Sequence, residues 1–173
     1  MDNIKIINVS TTEEQNECYK IRTEVFVKEQ KFDPANELDE TLYLKSFLDI
    51  LTKHLPLTFL HERYDESSSC HHFLALKSSL PIGTVRIHPY LSPTSTTGKI
   101  GRLSVLKQYR NMGVGELLLQ TVESFAKSEL RFERCILHSQ NVIKEWYEKR
   151  GYVALGGIFI EEGVEHCKMS KDI

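Results

Sequence analysis

The stretch QYRNMGVGELLL, residues 108–119, holds the spacing that points most directly to chemistry. Arg110, Asn111, Met112, Gly113, Val114 and Gly115 stand between an apolar run ending at Val105 and an amphipathic run beginning at Val114. A strand feeding a glycine turn and then a helix can bind an anion. The first N–H groups of the helix have no internal partner, and its dipole favours negative charge there. Glycine leaves no Cβ between backbone and phosphate. An ordinary strand-to-helix turn would use the same residues. An ATP-binding loop is excluded, because Glu116 stands where that pattern needs lysine. A dinucleotide fold would place GxGxxG early in the chain, and it is not there.

Metal chemistry is not expected. His71 and His72 are adjacent and would point to opposite faces of a strand, so they could not easily share an ion. Cys18, Cys70, Cys135 and Cys167 form no CxxC pair. Reduced thiols suit the cytosol or nucleus.

The elements that must position the glycine loop follow from periodicity. Ile4, Ile6 and Val9 suggest a first strand, and residues 10–14 offer a capping box for a helix carrying Cys18, Ile21 and Val25. Pro34 ends that helix. Residues 41–63 are expected as an amphipathic helix plus a tail. HHFLALKSSLPIGTVRIHPY predicts two strands with a turn at Ser78–Pro81. KIGRLSVL predicts a strand. Residues 113–128 predict a helix whose stripe is Val114, Leu117, Leu118, Thr121, Val122 and Phe125. RCILHS predicts a strand, NVIKEWYEKR a helix stopped by Gly151, and the remainder two strands with a turn near Glu161–Gly163. The order is that of a mixed α/β domain. At 173 residues one domain spanning 1–173 is expected.

Net charge is −2, so no basic field argues for nucleic acid or an anionic membrane. The N-terminus lacks the charged and apolar regions of a signal peptide. The most apolar stretch, residues 42–60, is broken by Lys45, Asp49, Lys53, His54 and Pro56 and should not span a bilayer. A cytoplasmic or nuclear protein, monomer or homodimer, is expected.

VLKQYRNMGVGELLL and QNVIKEWYEKRGY together resemble the GNAT superfamily of acyl-CoA N-acyltransferases. IRTEVFVKEQ, ELDE, HHFLALKSSLPIGTVRI and GVEHCKM are similar to a microbial subgroup of it with mostly undefined substrates. Two features depart from the pattern: an insertion around 40–64, and Trp146 where the family usually has Phe or Leu.

The resemblance implies a mostly antiparallel twisted sheet of six to seven strands, splayed between its two central strands and flanked by about four helices. It implies acetyl-CoA as donor and a primary amine as acceptor, either a small molecule or a lysine or N-terminal amine. Residues 110–115 would form the pyrophosphate loop. Leu103, Ser104 and Val105 would pair with pantetheine, and Gln140 would either bond pantetheine or cap a helix. Tyr147 would act at the thioester sulfur as a catalytic acid. Glu29, His138, Glu37 and Asp39 are candidate bases, with Glu29 placed on the acceptor wall. Residues 37–40 with Asp65 and Glu66 form either an acidic rim for a cationic amine or a solvated loop. The rival reading is a non-catalytic acyl-CoA-binding or interaction module on the same fold.

Overall fold

The computed structural model describes residues 4–34, 69–92 and 94–173. The expected helix over 41–63, the 40–64 insertion and the acidic groups at 37–40, 65 and 66 lie outside these residues.

Strand β1 (Ile4–Asn8) leads into helix α1 (Thr12–Arg22). The Glu14 N–H donates to the Thr11 hydroxyl at 3.2 Å, and the Thr11 N–H donates to the Glu14 carboxylate at 3.2 Å. This capping box satisfies donors that the first turn cannot. The helix does not end at Arg22. It widens into a π-helical run, Thr23–Glu29, closed by the Gln30 N–H on the Val25 carbonyl. Such runs are rare and gather at functional sites.

Strands β2 (His71–Lys77) and β3 (Leu80–Pro89) form the expected hairpin. Ser78 and Ser79 both adopt positive φ, 49° and 69°, the backbone of a tight turn whose twist matches its strands. There follow β4 (Thr97–Val105), α2 (Val114–Ser128), β5 (Arg134–Gln140), α3 (Lys144–Glu148), β6 (Val153–Glu161) and β7 (Val164–Asp172). The helix expected over NVIKEWYEKR is shorter than its pattern. Asn141–Ile143 forms a 3-10 turn before α3, consistent with the low helix propensity of β-branched Val142 and Ile143.

The seven strands form one sheet in the order β1-β2-β3-β4-β5-β7-β6. Only the β4–β5 pair is parallel. The mixed, mostly antiparallel α/β sheet is as expected. Three α-helices occur among the described residues, and none of them is long and apolar enough to cross a membrane. Strand alternation sends Phe73 and Ala75 of β2 into the core beneath α2, and sends Leu74 to Cys18, Ile21 and Val25 of α1 and its π-helical extension. The buried face of α2 is Val114, Leu118, Leu119, Val122 and Ala126. It is rotated from the expected stripe, because Leu117 is exposed while Leu119 and Ala126 are inside. Burying Leu118 or Leu119 contributes about 1.5–3 kcal/mol each. Packing therefore fixes where α2 starts, and with it the loop that precedes it.

Candidate active site

The site begins where two neighbouring strands separate. β4 and β5 pair only at Thr97–Arg134, Gly98–Cys135 and Lys99–Ile136. Beyond Lys99 the β5-facing edge of β4 has no strand partner, so Leu103, Ser104 and Val105 lie on an open edge. The vertex is tightly packed. A Cβ at Gly98 would fall 2.5 Å from the Phe132 ring and 2.8 Å from Ile87.

A bulge re-aims β4 inside the opening. Thr84 pairs with Ser104 and Arg86 with Gly101, so Val85 alone faces Arg102 and Leu103. Arg102 takes φ 56°, which an arginine adopts only at some strain. The extra residue shifts the alternation by one. Gly98 and Ile100 face the α2 side before it, and Leu103 and Val105 face that side after it. The odd spacing from Ile100 to Leu103 is the one sequence signal of this bulge.

After β4 the chain makes the glycine loop. Asn111 and Gly113 both adopt positive φ, 63° and 80°, and Gly113 caps α2. The N–H groups of residues 111–116 donate to no protein group among the described residues; the first helical bond runs from Leu117 to the Gly113 carbonyl. Alternating backbone handedness at a helix start turns such donors toward one concavity, a nest for an anion.

Two cavities meet at the opening. The larger, about 510 Å³, is walled by Ser104, Val105, Gly113, Val114, Gly115 and Trp146 among others. Trp146 packs beside Gly115, where a Cβ would make ordinary contact with the indole at 3.8 Å. The Arg150 guanidinium stacks 3.8 Å over the Trp146 ring and bonds Glu116 at 2.9 Å, tying α3 to α2. The smaller cavity, about 170 Å³, lies between the π-helical end and the sheet, against Phe26, Phe32, Lys99, His138 and Glu161. Gln30, Leu103, Gln140, Ile143 and Tyr147 line both.

Tyr147 is buried, and burial pushes its phenol well above the ordinary range. No protein group among the described residues bonds its hydroxyl. Its ring is packed edge-on between Trp146 and Tyr152. Gln140 does not cap the following turn. Its side-chain N–H donates to the side-chain oxygen Oε1 of Gln30 at 2.8 Å, joining β5 to the π-helical end.

Glu29 is bound to Arg110. Nη1 and Nη2 of Arg110 donate to its two oxygens at 2.7 Å each, while Nε donates to the Val105 carbonyl at 3.0 Å. The guanidinium holds the Glu29 carboxyl below its ordinary range against the opposing effect of burial. Glu29 lines neither cavity, and this geometry argues against the expected role as base. Arg110 in turn presents its backbone, rather than its side chain, to the loop.

His138 lies in the smaller cavity, bonded through Nδ1 to Glu161 at 3.0 Å. That bond holds the Glu161 carboxyl below its ordinary range. An ionised carboxylate only accepts hydrogen bonds, so Nδ1 is the donor to Glu161. Glu161, Lys99 and Gln30 are site residues that the sequence reading missed. Each reaches the site from an element distant in sequence. Burial pushes the Cys135 thiol up to about 12, which suppresses the thiolate.

A model of the acetyltransferase (GNAT) domain family matches residues 40–173. The chain belongs to the GNAT acetyltransferases. Among curated relatives, the uncharacterized protein YyaT of Bacillus subtilis is 30% identical over 170 residues, covering 98% of this chain and 97% of that protein. The uncharacterized N-acetyltransferase YjcF of the same organism is 25% identical, covering 98% and 100%. Among solved structures, Escherichia coli ElaA superposes with a TM-score of 0.75 at 18% identity, covering 99% of this chain and 100% of that one. An acyl-CoA N-acyltransferase from Pseudomonas aeruginosa gives 0.72 at 22% identity, covering 98% of each chain. Both share the GNAT fold with this chain. The family carries out acyl transfer, and this GNAT protein is an acyltransferase by membership.

Proposed function

We propose that this protein is an N-acetyltransferase that moves the acetyl group of acetyl-CoA directly to a primary amine. The observation that supports this best is the run of unpartnered N–H groups at 111–116, beside a strand edge that opens onto two joined cavities. Acetyl-CoA supplies a thioester whose acyl carbon bonds to the amine nitrogen as its bond to sulfur breaks. The 111–116 N–H groups hold the pyrophosphate, with Arg110 fixing the loop through Val105 and Glu29. Leu103, Ser104 and Val105 pair with the pantetheine amides along the free edge of β4. Gln140 sets the depth of the cleft through Gln30.

Tyr147 faces the sulfur as a hydrogen-bond donor. Its raised proton affinity keeps it protonated and makes full proton transfer to a thiolate of ordinary affinity uphill. Its contribution is therefore to stabilise negative charge as it develops. The amine proton passes to Nε2 of His138, which Glu161 orients. Single domain organisation over 1–173 and cytoplasmic action without metal or nucleic acid are consistent with this reading.

Thermal melting with CoA, acetyl-CoA, ATP and NAD in parallel tests the donor. A ligand at 100 times its Kd that binds only the folded state adds about 2.7 kcal/mol. A shift with CoA and acetyl-CoA alone is expected; no shift with either defeats the reading. Substitution tests the base. His138→Gln is expected to lower kcat about 100-fold or more. Glu29→Gln is expected to keep kcat near wild type while loosening the glycine loop. A Glu29→Gln variant that lost as much turnover as His138→Gln would return the base role to Glu29.

A further inference from the structure

The smaller cavity bears on which amine is used. Its volume, about 170 Å³, falls below the roughly 300–1,000 Å³ of typical small-molecule sites, so it suits a compact group. Its wall holds three cations, Arg86, Lys99 and Arg102, against two carboxylates, Glu161 and Glu162, among the described residues. Glu161 is engaged by His138.

Lys99 stands apart from the other two cations. It is the last β4 residue paired with β5, at the vertex of the opening, and it lines this cavity. Its ammonium makes no hydrogen bond or ion pair with the protein among the described residues. Burial lowers its proton affinity, and Arg86 and Arg102 lower it further, while Glu161 partly offsets them. A half-buried ammonium with no direct hydrogen-bond or ion-pair partner among the described residues is unfavourable, and an incoming anion would relieve it. His138 lines the same cavity.

We propose that the acceptor is an amine carrying an acidic group, a carboxylate or a phosphate, which Lys99 binds while the amino end faces His138 and Tyr147. This rests on the acyl-CoA reading above. It differs from the cationic acceptor that an acidic rim at 37–40, 65 and 66 would suit, and agrees with those residues forming a solvated loop.

The test uses the full chain with acetyl-CoA and matched amines: glycine against glycinamide, and phosphoethanolamine against ethanolamine. Thiol release is expected to favour at least one acid-bearing amine over its uncharged partner by about ten- to a hundredfold in kcat/KM, the range of a charge-assisted hydrogen bond. The pair that shows the preference identifies carboxylate or phosphate. Lys99→Gln is expected to erase the preference and Lys99→Arg to keep most of it, with the CoA-induced melting shift retained in both. Should no amine be turned over, the same probes are titrated calorimetrically in the presence of CoA. Preference for the uncharged partners or for a polyamine would overturn the proposal, as would an unchanged preference in Lys99→Gln or no binding of any acid-bearing probe. Acetylation of Lys99 itself, seen by mass spectrometry, would also overturn it. Loss of the CoA shift in the wild-type protein would instead remove the donor reading on which the proposal rests.

Discussion

Replacing Gly113 with glutamate is expected to weaken coenzyme A binding at least about a hundredfold, equivalent to about 2.7 kcal/mol. Gly113 sits at φ 80°, where a residue with a Cβ is strained by roughly 1–2 kcal/mol. Nothing lies within 4 Å of a Cβ built there, so the new carboxylate would find open space at the mouth of the larger cavity. It would stand where the 111–116 N–H groups are free to take an anion, and it would repel a pyrophosphate. Gly113→Ala separates the two effects. It adds the strain without the charge, and should lower Tm while binding coenzyme A more tightly than the glutamate variant. Calorimetry decides the matter: unchanged affinity in Gly113→Glu would mean that the loop is only a turn.

Tyr147→Phe is expected to lower kcat about 100-fold while Kd for coenzyme A and Tm stay near wild type. The split follows from burial. The ring packs against Trp146 and Tyr152, and phenylalanine preserves that packing. The hydroxyl has no protein partner among the described residues to lose, so its removal leaves none of them unsatisfied. Because the phenol lies above its ordinary range, wild-type activity should show no loss near neutrality from ionisation of Tyr147. Single-turnover thiol release with the amine panel would measure the change. Undiminished release would remove Tyr147 from the chemistry.

Local signals in the sequence translated well. The Thr11–Glu14 capping box, the Ser78–Ser79 turn and the glycine loop are each set by a few neighbouring residues with one preferred backbone, and all lie where the pattern puts them. Features that depend on distant partners were not legible. The Glu29–Arg110 pair spans 81 positions and the Gln140–Gln30 bond 110, so neither leaves a periodic trace. The His138–Glu161 bond depends on β6 and β5 reaching opposite edges of β7, a pairing that strand propensity cannot specify. The π-helical run shares its composition with an ordinary helix; its wider turns place Val25 on one cavity and Phe26 on the other. The rotated face of α2 is a tertiary outcome too. Leu117 and Leu119 have the same intrinsic preference, and only the position of the sheet decides which is buried.

The packing at Gly98 makes the width of the opening a heritable setting held by residues off the reaction path. Phe132 occupies the space a side chain at 98 would need, at the last three rungs that β4 and β5 share. Enlarging 98 would unzip those rungs. Trimming Phe132 would let the strands close further, moving the free edge of β4 relative to Tyr147 without altering either. Neither Gly98 nor Phe132 lines either cavity, so change at this pair would reshape the opening from outside it.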